Sequence, residues 1–253
     1  MKQSPHVLLL PFAAALMFTA LPAYGQDEPP GYDACVALTA TDAAAALEMA
    51  QALKMKGGER EAGGMHCKAL ALMGLGRAAD AGSAFFDLAE SMLQADDALR
   101  APVYAQAGDA WAIAGAAKLA VIAYDNAIAR EPNDATYYGG RARVKAIQKD
   151  WRGVRYDAAE ALARDPNYPQ AMLLRSAANR ILGHPRAAMV DANHAVGLNP
   201  HSLNALLERG LVHRALGNKA EAWGDWSLLL KYAQATGREE DPAAAAARDY
   251  LSQ

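Results

Sequence analysis

The sequence predicts an all-α fold assembled as a stack of helix hairpins, an α-solenoid. Three observations predict it. Pro132, Pro166 and Pro200 fall at a constant step of 34 residues, each in a helix-ending tripeptide (Glu131-Pro132-Asn133, Asp165-Pro166-Asn167, Asn199-Pro200-His201). Packing positions keep the same step. Small residues recur at Gly108, Ala142, Ser176 and Gly210, and bulky apolar ones four residues earlier at Tyr104, Tyr138, Met172 and Leu206. Turn glycines stand at Gly115, Gly183 and Gly217, with Lys149 breaking that column. A fixed period of this length marks an array whose units cannot bury their apolar faces alone.

A second set of mostly small residues runs Ala120, Val154, Ala188 and Ala222. Seven residues on, two helical turns along the same face, come Ala127, Ala161, Ala195 and Leu229. Each unit therefore reads as helix, glycine-bearing turn, helix and proline stop. Four units cover residues 101–236, beginning near Ala101, Ala135, Pro169 and Leu203. In the last, Gln234 replaces the proline, so nothing ends the second helix before Gly237. Upstream, Gly76-Arg77 precedes Ala81, Phe85 and Leu88 in a divergent unit whose glycine step to Gly115 is 39 residues. That offset predicts a longer second helix over 78–95. Residues 26–100 thus form a helical extension with one divergent repeat. It includes an alanine-rich helix over 42–56, capped by Thr41 or Asp42 and ended by Gly57-Gly58. At the other end, 237–253, Asp241-Pro242 before Ala243 to Ala247 predicts a capped helix that covers the last unit.

Residues 1–25 carry a different pattern. Lys2 is their only formal charge, Val7 to Ala20 is an apolar run broken by Pro11 and Thr19, and Ala23-Tyr24-Gly25 offers small residues for cleavage. This is the pattern of a secretory signal peptide, which predicts a periplasmic or secreted protein. No second long apolar stretch follows, so no stable membrane span is expected after signal removal. The net charge of −3 argues against nucleic acid, which calls for a basic stripe.

Cys35 and Cys67 are the only cysteines. An even count in an exported chain favours a disulfide, worth about 3–4 kcal/mol for a loop of this length. Two buried thiols, or a metal site using His66, are the alternatives. The latter lacks the paired spacing of zinc sites. Asp157, Asp191 and Asp225 follow Arg141, Arg175 and Arg209 by 16 residues each, whereas the unit beginning near Ala101 has alanine at both places, Ala107 and Ala123. Members that appear and vanish together predict ion pairs between the two helices of one unit. Trp111 and Trp226 fit the core, with Trp151 and Trp223 outside the packing columns. No serine or cysteine elbow and no phosphate loop is present, so neither enzyme activity nor a cofactor or metal is expected.

The alternating large and small columns resemble the tetratricopeptide repeat. The resemblance implies a right-handed superhelix whose first helices line a concave, peptide-holding groove. Here that face would comprise Asp109, Ile113, Arg143, Ile147, Ala177, Arg180, Ile181, Leu211 and Arg214. Unpaired Arg143, Arg180 and Arg214 would suit an acidic or C-terminal segment of a partner protein. The expected function is an exported scaffold that binds a protein or peptide in cell-envelope assembly or maintenance. The alternative is an accessory subunit binding a non-protein envelope component such as a glycan.

Overall fold

A computed structural model describes residues 31–54, 59–92 and 95–252. The signal-peptide pattern and Gly57-Gly58 lie outside them. The described residues form thirteen α-helices and no strand. The chain divides into two compact units inside α7 (Ala135–Ile147), between Val144 and Lys145.

The first unit begins with α1 (Tyr32–Thr39), α2 (Ala43–Lys54) and α3 (Glu59–Gly74). Asp42 caps α2, its Oδ1 accepting from the Ala45 N–H at 3.0 Å. Alanines let these helices approach closely: Ala46, Ala50 and Ala71 pack with Leu53 around Cys35 and Cys67. The two sulfurs lie at bonding distance, 1.99 Å, with Cα atoms 6.1 Å apart. His66 is buried beside them. Tyr32 Oη bonds its Nδ1 at 2.7 Å, Gln106 Oε1 bonds its Nε2 at 3.0 Å, and Phe85 meets the ring edge-on. In the neutral form Nε2–H donates to Gln106 and Nδ1 accepts from the Tyr32 hydroxyl, and burial lowers the imidazole pKa to about 4.

Next come α4 (Ala78–Ser91), α5 (Asp97–Ile113) and α6 (Ala117–Arg130). The longer second helix expected over 78–95 is corrected here. α4 stops at Ser91, and the extra residues instead lengthen α5, which begins at Asp97 behind the Asp96 N-cap. An aspartate that can accept from the Ala98 N–H starts a new helix more readily than it extends an old one. Ala81, Phe85, Leu88, Tyr104, Ala107 and Tyr124 are the buried centre of this unit.

The second unit holds α8 (Trp151–Arg164), α9 (Pro169–Ile181), α10 (Pro185–Leu198), α11 (Leu203–Ala215), α12 (Lys219–Ala235) and α13 (Pro242–Leu251). Each helix packs on the next in sequence, and α9 also packs on α11. Gly183 and Gly217 turn the hairpins with φ of +85° and +83°, and Lys149 adopts the same left-handed backbone at +60°. The turn thus survives without glycine, at a strain of roughly 1–2 kcal/mol. As expected from Gln234, α12 continues to Ala235, and Gly237 then turns the chain. Asp241 caps α13 through the Ala243 N–H, and Pro242 occupies its first turn. α13 buries Ala243, Ala244, Ala247 and Tyr250 against the last hairpin, Tyr250 stacking on Trp226 at 5.0 Å.

Two of the expected ion pairs lie wholly in this unit and both form. Arg175 holds Asp191 through Nε and Nη2 at 2.8 and 2.7 Å, and Arg209 Nε holds Asp225 at 2.9 Å. Asp157 is buried and receives Lys145 Nζ at 2.8 Å. In the first unit Arg141 binds Asp125 at 2.6 Å, while Ala107 and Ala123 are fully buried.

Candidate functional site

In the first unit the first-helix face is organised by Tyr124 of α6. Its ring lies against Gly108 of α5 and Gly140 of α7, where an added Cβ would stand 2.8 and 2.4 Å from ring atoms. The ring therefore fits only because both helices present hydrogen there. Its hydroxyl, carried through to the far side, donates to Asp109 Oδ1 at 2.6 Å. Arg143 donates to the same oxygen and, at 3.3 Å, to the tyrosine oxygen. Burial pushes the Asp109 carboxyl above the usual carboxylate range, and the Arg143 charge and the two hydrogen bonds pull it back. Asp109 and Arg143 are equivalent positions of successive repeats, so the pair ties one first helix to the next. Ile113 stands exposed at the end of α5.

In the second unit Glu208 of α11 plays the corresponding part. It accepts from Ser176 Oγ at 3.0 Å and from Arg180 Nε and Nη2 at 3.0 and 2.9 Å. Every partner comes from α9, so again a carboxylate joins two first helices. Arg214 lies over the Tyr250 ring, 4.3 Å from its centroid, and 5.8 Å from that of Trp226. Ile181 is exposed, Ala177 is half-buried and Leu211 is buried, so Leu211 contributes packing rather than surface. Ile147 is half-buried at the end of α7.

The expectation of three unpaired arginines is overturned. Arg143 and Arg180 lie where adjacent first helices approach, and a guanidinium drawn partly out of water there needs a carboxylate companion. Arg214 meets the Tyr250 and Trp226 rings instead. Tyr124 and Glu208 were missed from the sequence. A signal for each existed: Asp109 and Arg143 are opposite charges one repeat apart in one column, and Glu208 interrupts an otherwise apolar helix face. Trp111 and Trp226 are buried and Trp223 is exposed, as expected. Among the described residues no group of three or more His, Cys, Asp or Glu is arranged to hold a metal.

No protein-family model and no curated protein matches the sequence. Solved structures do match. The C-terminal part of a TPR repeat-containing protein from Cytophaga hutchinsonii is 14% identical with a TM-score of 0.66, over 87% of this chain and 85% of that one. TTC0263, a thermophilic TPR protein of Thermus thermophilus, is 15% identical with a TM-score of 0.58, over 76% of this chain and 100% of its own. YrrB, a TPR protein with an unusual peptide-binding site, is 13% identical with a TM-score of 0.55, over 74% and 91%. At such identities the likeness is one of fold.

Proposed function

We propose that this chain, whose fold is that of the tetratricopeptide-repeat proteins, is a scaffold that holds a protein or peptide partner against its first helices, in the exported space of a cell envelope. One observation carries the reading. In each unit, taken by itself, the first helices carry an exposed apolar side chain (Ile113, Ile181) and an arginine fixed in place by a carboxylate (Arg143, Arg180). A surface already rigid before docking loses little ordering entropy when a partner arrives. Arg214 is the arginine of this face that no carboxylate engages among the described residues, and its guanidinium is held against Tyr250. It is the group assigned to an acidic side chain or a terminal carboxylate of the partner.

Export is supported by two features. The apolar run Val7 to Ala20 precedes small residues at a cleavage position. The buried pair Cys35 and Cys67 sits at bonding distance, and such bridges persist in oxidising compartments.

A photocrosslinking residue placed at Ile181 of the full chain, in its own cells, tests the function. A discrete protein adduct that fades in Arg214→Glu is expected, and adducts to glycan alone would overturn the protein-scaffold reading. Mass spectrometry of the mature chain tests export: a new N-terminus at Gln26 is expected, and an uncleaved cytosolic chain would sink that part.

A further inference from the structure

A second surface lies on the other helices of the hairpins. α8 and α10 are second helices, and between them, above α9, runs a cleft of about 530 Å³. One wall is a stripe of α8: Arg152, Arg155 and Tyr156, spaced three and four residues apart and so on one helix face. The opposite wall is Val190 of α10. Arg175 and Asp191 form the floor.

Three properties set this cleft apart. Tyr156 is 61% exposed and Val190 is 68% exposed, the two most exposed large apolar side chains among the described residues, and both line it. A surface seldom leaves two such side chains facing one hollow unless something covers them. Arg175 and Asp191 neutralise each other through a two-bond fork. Arg152 and Arg155 are exposed, and neither has a hydrogen bond or ion pair among the described residues, so positive charge is left in excess on a chain of net charge −3. A hollow of this volume takes one or two side chains of an extended segment.

We propose that the cleft between α8 and α10 docks an acidic, extended segment of a partner protein that carries one bulky apolar side chain. The partner's carboxylates meet Arg152 and Arg155, whose planar forks suit them, and its apolar side chain enters between Tyr156 and Val190. This surface is separate from the first-helix face carrying Ile181 and Arg214, so the scaffold would hold two segments at once.

The test is fluorescence anisotropy of the mature full chain with a labelled synthetic peptide, four glutamates around a central phenylalanine. Saturable binding is expected. The Arg152→Glu/Arg155→Glu double variant should weaken it by about tenfold or more. Val190→Asp should weaken it comparably, with melting temperatures unchanged because these side chains are exposed. A peptide with alanine in place of phenylalanine should bind several-fold more weakly, and added salt should weaken both. Absence of saturable binding, equal binding of the alanine peptide, equal binding by the double variant, or displacement by inorganic phosphate at similar concentration would each overturn the proposal. The Ile181 crosslink reads the other face, so either surface can fail alone.

Discussion

Two hairpins of the second unit fill the same space differently. Between α11 and α12, Gly210 faces Trp226, whose ring occupies the room that a Cβ would need. One repeat earlier, between α9 and α10, Ser176 stands in the Gly210 place and Ala192 in the Trp226 place, both buried. The first unit repeats the former solution with Gly108 and Tyr124. A large ring takes the room opposite a glycine, and where no ring is present two small side chains stand at the same positions. Repeats of this fold are thus interchangeable in backbone but not in single residues. A substitution on one helix is judged by what its partner helix presents.

The comparison can be broken, and the largest effect comes from removing the ring. Trp226→Ala should destabilise by about 3–5 kcal/mol in denaturant unfolding, since it empties the space between Gly210 and Tyr250. A loss under about 1 kcal/mol would mean that the helices collapse into the gap.

The first unit holds an acid-sensitive element in His66. His66 binds its proton less readily folded than unfolded, with a pKa of about 4 against 6.5. Between those values the unfolded chain carries more protons, so the stabilisation present above pH 6.5 is lost as pH falls toward 4. The total is roughly 3 kcal/mol. The pH dependence of unfolding should show this slope, and His66→Gln should flatten it.

Gly210→Ser should cost about 1–3 kcal/mol, because its Cβ would lie 2.3 Å from Trp226 Nε1. In the Trp226→Ala background the same change should cost little, since the pair then copies Ser176 and Ala192. Additivity within about 0.5 kcal/mol in that double-mutant cycle would refute the volume argument. Of similar or smaller size is Arg175→Ala, about 1–3 kcal/mol, which leaves the buried Asp191 without its fork. An unchanged melting temperature would make the pair decorative.

Periodic features were legible in the sequence because repetition is itself a signal. The proline stops, the turn column, the caps at Asp42 and Asp241, and the Arg175 and Arg209 pairs all recur or follow local rules. Lys149 was visible as a break, and only the backbone shows that it keeps the glycine conformation. Contacts made once are harder to read. Gln106 reaches His66 across 40 residues and Glu208 meets Arg180 across 28, neither at the repeat step. The Arg152 and Tyr156 stripe escaped notice because an exposed helix face with arginines is ordinary until the opposite wall is known.

Sixteen residues separate Arg175 from Asp191, and the same number separates Arg209 from Asp225. Closing so short a stretch costs little chain entropy, and contacts this local favour rapid folding. A polypeptide emerging from a ribosome or a translocation channel therefore clasps each hairpin as its second helix clears the exit, in order, with no distant segment to await. The His66 cluster obeys a different clock, since it is complete only after α5 has emerged.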